Sequence, residues 1–164
     1  MLNHPSFAER IAYGRPLETS DDPRIPVAPR PMTALLGRVL LAALFLASGL
    51  AKLADLDNVA GLMATAGLPA AKALALIAGL TEVAGAASLL FGFLTRLGAL
   101  GLIAFLIPTT LVFHGFWNLE GAERHEQMIQ LLKNLGVMGG LAAYVAFGAG
   151  RLSLDAVMRK PVQP

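Results

Sequence analysis

A single carboxylic acid stands in the middle of a long apolar segment: Glu82, with no other charged residue between Lys72 and Arg96. A charge at membrane depth costs at least ~2.5–3.5 kcal/mol on insertion scales, so it persists where it is paired, hydrated or used. At 100° per residue, Ala75, Ala78, Gly79, Gly85 and Ala86 fall within about 60° of Glu82 on a helix, so the carboxyl projects from a face of small residues. That face suits close packing against another helix, and Glu82 is expected to point into a bundle. Further along, Thr110, His114 and Asn118 are spaced i, i+4, i+8, with Trp117 on the same side. Gln127, Gln130, Lys133 and Asn134 share an arc of about 120° on a later helix. Ser48, Gly49 and Lys52 close an earlier one. These types supply hydrogen-bond donors, acceptors and exchangeable protons, the equipment for holding a polar group inside a membrane.

Depth arithmetic suggests a partner for Glu82. Measured from the outer boundary at ~1.5 Å per residue, Lys133 lies about 10 Å deep and Glu82 about 18 Å, a gap that a lysine side chain nearly spans. Lys133 is therefore the expected partner, with Arg38, approaching from the opposite end, almost as close in depth. Two roles stay open for such a pair, a binding device or a register lock between helices. Trp117 reads more readily as an interfacial anchor than as a stacking platform, and His114 serves equally as a site residue or as a hydrated belt residue. His4 and His125 lie outside the apolar segments and are bystanders. With His114 the only histidine at membrane depth, bis-histidine haem ligation within one chain is excluded.

The elements that position these residues follow from composition. The chain has 164 residues, 55% from the set AVILMFWYC and 15% charged, with a mean hydropathy of +0.63. Soluble domains are roughly half apolar and about a quarter charged, so this composition excludes a disordered protein, a fibrous protein and an ordinary cytosolic enzyme. A net charge of +2 is too small to argue for a nucleic-acid partner. The absence of cysteine excludes a disulfide framework, a cysteine zinc site and a cysteine-ligated iron–sulfur cluster on this chain, and no metal site is expected.

Four segments, 34–54, 70–92, 95–117 and 126–148, are each long enough to cross a ~30 Å hydrocarbon layer. The expected fold is all-α, a four-helix transmembrane bundle running up-down-up-down over 34–155, with a short tail at 156–164 and an interfacial helix within loop 55–69. Arg38 and Lys52 near the ends of the first segment are expected to snorkel to the headgroups, and Pro108 to kink the third segment without ending it. Residues 1–33 hold six of the ten prolines together with four arginines and four acids, so a disordered, solvated cytoplasmic tail is expected there. Counting Lys and Arg by side sets Arg10, Arg15, Arg24, Arg30, Arg38, Arg96, Arg151, Arg159 and Lys160 against Lys52, Lys72 and Arg124. This places both termini in the cytoplasm.

The order of residues adds a resemblance. Gly37-Arg38, Ser48-Gly49 with Lys52, Glu82, Gly92 with Thr95-Arg96, Phe113-His114-Gly115-Phe116, Lys133-Asn134 with Gly139-Gly140, and Ser153-Leu154-Asp155 together resemble the DoxX family of small membrane proteins over about 35–155. The resemblance implies a four-helix protein of the bacterial cytoplasmic (inner) membrane, or of an archaeal one, associated with redox chemistry. The family takes its name from a subunit linked to terminal quinol oxidase and thiosulfate:quinone oxidoreductase activity. On this reading the ligand is quinone, bound without a covalent link in the outward half by Glu82, His114, Lys133, Asn134, Lys52 and Trp117, and electrons come from a redox partner protein. The alternative is a non-enzymatic protein, either a small carrier, as a homo-oligomer, or an accessory protein that stabilises a partner complex.

Overall fold

The structure is a computed structural model, which describes residues 30–158. The expected tail therefore lies outside the described residues up to position 29, as does the end of the chain from 159. Six helices and no strand occur among the described residues: α1 (Arg30–Ala54), α2 (Leu56–Thr65), α3 (Ala71–Phe91), α4 (Thr95–Phe113), α5 (Gly121–Phe147) and α6 (Leu154–Met158). Four of them, α1, α3, α4 and α5, are long and apolar enough to cross a membrane. The chain is thus an all-α, up-down-up-down bundle. α1 begins at Arg30, within the stretch expected to be tail. α4 stops at Phe113, ahead of His114-Gly115, and α5 starts at Gly121, because Ala122 to Glu126 are helix formers that carry the helix past its apolar run.

The small residues decide which helices touch. α1 packs most extensively against α3, α4 against α5, and α3 against α4, while α1 meets α5 only slightly. At the α1–α3 contact a Cβ on Gly49 would lie 2.9 Å from the Gly79 carbonyl oxygen and 3.0 Å from Glu82 Cβ. Only glycine permits that approach. Between α3 and α4, a Cβ on Gly85 would meet Leu102 at 2.5 Å. One core cluster (Phe45, Leu89, Leu102, Leu106 and Leu141 with Ala42, Ala86 and Ala99) fills the half of the bundle nearer the chain termini. The α2 end has a second cluster, in which Met63 of α2 covers Ala75 and Ala78, flanked by Phe105 and Phe113. The segment 55–69 therefore forms a short helix that lids one end.

At the opposite, terminal end, α3 closes in a Schellman motif: Gly92, at φ +65°, donates to Leu89, and Phe93 donates to Ser88. The chain beyond α5 folds back under this turn. Asp155 donates its N–H to the Gly92 carbonyl at 2.8 Å, and its carboxylate accepts from the N–H groups of Leu94 (2.8 Å) and Thr95 (3.1 Å). It thus caps α4 from sixty residues away along the chain. Arg38 does not snorkel. It is 1% exposed, because residues 148–158 cover it, and it donates to the Leu152 carbonyl.

Pro108 stands inside α4, which continues unbroken to Phe113. The adjacent Thr109 hydroxyl donates to the Phe105 carbonyl at 2.8 Å, so side-chain hydroxyls contribute to the local bonding as expected of a membrane helix.

Candidate functional site

Glu82 is 4% exposed and points from the small face of α3 into the bundle. Its partner is Lys52, not Lys133. Lys52 Nζ lies 2.9 Å from Glu82 Oε2 and 3.1 Å from Oε1, and donates to Ser48 Oγ at 2.6 Å. The direction of the lysine also differs from the expected snorkelling. Helical side chains lean toward the N-terminus of their helix, which for α1 is toward the bilayer interior, so Lys52 turns down onto Ser48 one turn below it. The Gly49–Gly79 approach then brings the carboxylate within its reach. Depth alone could not separate the candidates, because it says nothing about which helix lies beside the face of Glu82. The signal was present in Ser48, Gly49 and Lys52, a polar and small stripe matching Ala78, Gly79 and Glu82.

The pair is unevenly buried. The Lys52 side chain keeps 24% of its surface exposed and that of Glu82 only 6%. The carboxylate is thus held inside while the ammonium reaches a more open space. Lys52 Nζ spends its donors on Ser48 and the two carboxylate oxygens, so the Ser48 hydroxyl, accepting from Lys52, retains its own proton for a further partner.

A second polar cluster joins α4 to α5. Asn134 Nδ2 donates to Thr110 Oγ1 at 3.0 Å, and His114 Nδ1 lies 2.9 Å from Gln127 Oε1, a bond in which the Nδ1–H tautomer donates. The two polar stripes read from the sequence thus face each other. Contacts of Gly85 with Leu102 and of Gly98 with Ser88 set the α3–α4 register, which puts Glu82 level with about Phe105. Thr110 is then about 8 Å nearer the α2 end than the ion pair. The remaining candidates stand apart. Lys133 is exposed and donates to Gln130 on its own helix. Trp117 is 59% exposed, with its ring 5.0 Å from that of Phe116.

Among the described residues there is one further salt bridge, Lys72 with Asp57 at 2.7 Å, on the surface near α2. The hydrogen bond from Lys72, and then its charge, hold the exposed Asp57 carboxyl below its ordinary pKa.

Comparison with known proteins agrees with this architecture. No solved structure matches the chain. It is 30% identical to the inner membrane protein YphA of Escherichia coli (strain K12) over 128 residues, 78% of this chain and 91% of that protein. It is 31% identical to the inner membrane protein YqjF of the same organism over 126 residues, 77% of this chain and 92% of that protein. Residues 33–115, which carry both members of the ion pair and the α3–α4 turn, match the DoxX family. The chain is an integral membrane protein of the DoxX family.

Proposed function

We propose that the protein is the membrane-embedded, quinone-binding subunit of a redox system, with the quinone ring seated beside Lys52, Ser48 and Glu82 in the half of the bundle nearer α2. The observation that carries this reading is the Lys52–Glu82–Ser48 network: a carboxylate 4% exposed near the bilayer middle, bonded to a lysine that keeps a quarter of its side-chain surface open. Such a group is costly in a membrane and is a site residue by default. A bound quinone supplies a redox couple that takes up protons with its electrons. The chain's own residues do the rest. The Ser48 hydroxyl donates to a ring carbonyl, Lys52 orients the Glu82 carboxyl group through its two hydrogen bonds, and Glu82 exchanges the proton. Asn134 with Thr110 and His114 with Gln127 line the way toward the α2 end, where a proton meets water. Electrons come from a redox partner protein, because the chain has no cysteine to ligate a cluster.

The same reading places the protein in a bacterial inner membrane, as the names of its relatives suggest, with both termini cytoplasmic by the nine-to-three count of Lys and Arg. The test is the quinone content of the purified protein. Organic extraction of wild type should yield quinone in near-stoichiometric amount. Its absence from a protein purified in mild detergent, with the fold intact, would instead support an accessory role in which the ion pair serves as a register lock.

A further inference from the structure

Two hollows toward the terminal end adjoin. An apolar groove of about 680 Å³ runs between α3 and α4, with Ala84, Ser88, Gly98 and Gly101 along it and Phe93 at its end. A smaller cleft of about 310 Å³ opens beside the first turn of α4, lined by Thr95, Arg96, Gly148 and Asp155. Leu94 and Leu97 border both. We propose that together they form a binding site for one phospholipid, with an acyl chain in the groove and the phosphate in the cleft.

Three features fit that ligand. The first is length. On α3 the groove runs from Thr81 to Phe91, about 15 Å at helical rise, which equals one leaflet of a ~30 Å hydrocarbon layer. It begins beside Glu82 near the bilayer middle and ends at the interface, as an acyl chain does. Width is the second. Glycine and alanine hollow out the groove, and Gly101 has nothing within 4 Å of where its Cβ would be, so the space is open to the lipid side.

The third is the polar end. Thr95, at the wall of the cleft, is buried, and its Oγ1 has no hydrogen-bond partner. The Arg96 guanidinium bonds the Ala146 carbonyl through Nη2 at 3.2 Å, which leaves most of its five N–H donors for an anion. The Asp155 carboxylate does not oppose that anion. It is engaged by the Leu94 and Thr95 N–H groups, and the buried Arg38 charge balances it. An exposed arginine with free donors, next to a groove of leaflet length, matches a phospholipid better than it matches a free anion or a partner helix.

The groove opens between α3 and α4 and runs from the depth of Glu82 to the terminal end, whereas the Lys52–Glu82 pair joins α1 to α3, so the proposal stands on observations separate from the quinone reading. Full-length protein, delipidated in detergent, is titrated with dioleoylphosphatidylglycerol and followed by native mass spectrometry, with inorganic phosphate titrated in parallel. Wild type should retain a single lipid per chain. Gly101→Leu, whose Cβ meets nothing within 4 Å, should melt as wild type does and retain none above background. Arg96→Gln should weaken retention about fivefold, the equivalent of ~1 kcal/mol for one basic side chain. Equal lipid retention by Gly101→Leu and wild type would overturn the proposal. So would phosphate alone stabilising the protein as much as the lipid does, which describes an anion cleft without a chain site. Loss of co-purified quinone from Gly101→Leu with lipid retention unchanged would also overturn it, assigning the groove to the quinone.

Discussion

Removing Lys52 should harm the protein more than removing Glu82, and the size of the difference follows from their burial. Breaking a buried ion pair by deleting one partner costs about 3–5 kcal/mol, because the surviving charge is left uncompensated. Lys52→Met strands a carboxylate whose side chain is 6% exposed and too short to reach solvent. The expected loss is at the lower end of that range, about 3 kcal/mol, since the Ser48 hydroxyl remains as a donor. Glu82→Met strands a lysine that is already 24% exposed and has four methylenes on which to swing outward, so the loss should be nearer ~1 kcal/mol. The double variant leaves neither charge and should return to within about 1 kcal/mol of wild type. Thermal unfolding in detergent reads these differences. At ~2–4 °C per kcal/mol for a chain of this size, Lys52→Met should fall by about 6–12 °C, and the double variant should recover most of it. The implied coupling exceeds the ~1.7 kcal/mol maximum seen for interhelical hydrogen bonds in membranes, so it is diagnostic of a charged pair. Losses that add within ~0.5 kcal/mol in the double variant would refute the pairing.

Three further outcomes follow from the packing. Gly49→Ala, whose new methyl would lie 2.9 Å from a backbone oxygen, should cost about 1–3 kcal/mol in thermal unfolding, whereas Gly136→Ala, which meets nothing, should not destabilise. Asp155→Ala removes the cap of α4 and should cost about 0.5–2 kcal/mol, with faster proteolysis or hydrogen exchange of residues 148–158 as the accompanying local sign. The lowered pKa of Asp57 means that the contribution of its pair with Lys72 is present above the ordinary carboxylate pKa and is lost as pH falls through the lower folded value. Because both side chains are highly exposed, Asp57→Asn should leave the melting temperature at neutral pH unchanged.

Hydropathy made the four spans legible because each must satisfy its backbone within itself, which leaves a long apolar run in the sequence. Helix ends were less legible. Glu123, Arg124 and His125 are polar and so keep 121–125 outside any apolar run, yet the helix runs through them. The inward face of Glu82 could be read from Ala75, Ala78 and Gly79, because a small face must pack on something. Its partner required the azimuth of every helix, and depth supplies only the axial coordinate. Arg38 was misread for a related reason. Near a helix end a lone arginine ordinarily reaches the headgroups, but here a segment more than a hundred residues later supplies the Leu152 carbonyl and a lid. The α4–α5 polar contact was legible because both stripes had helical spacing and a short loop joins the two helices.

The central claim is that the Lys52–Glu82 pair belongs to a ligand site. The most direct measurement is equilibrium binding of a short-chain quinone to wild type and to the stable Lys52→Met/Glu82→Met variant, both reconstituted in nanodiscs. The account predicts saturable binding to wild type, and binding lost in a double variant that melts near the wild-type temperature. Undiminished binding to that folded variant, or no saturable binding to wild type, would contradict it.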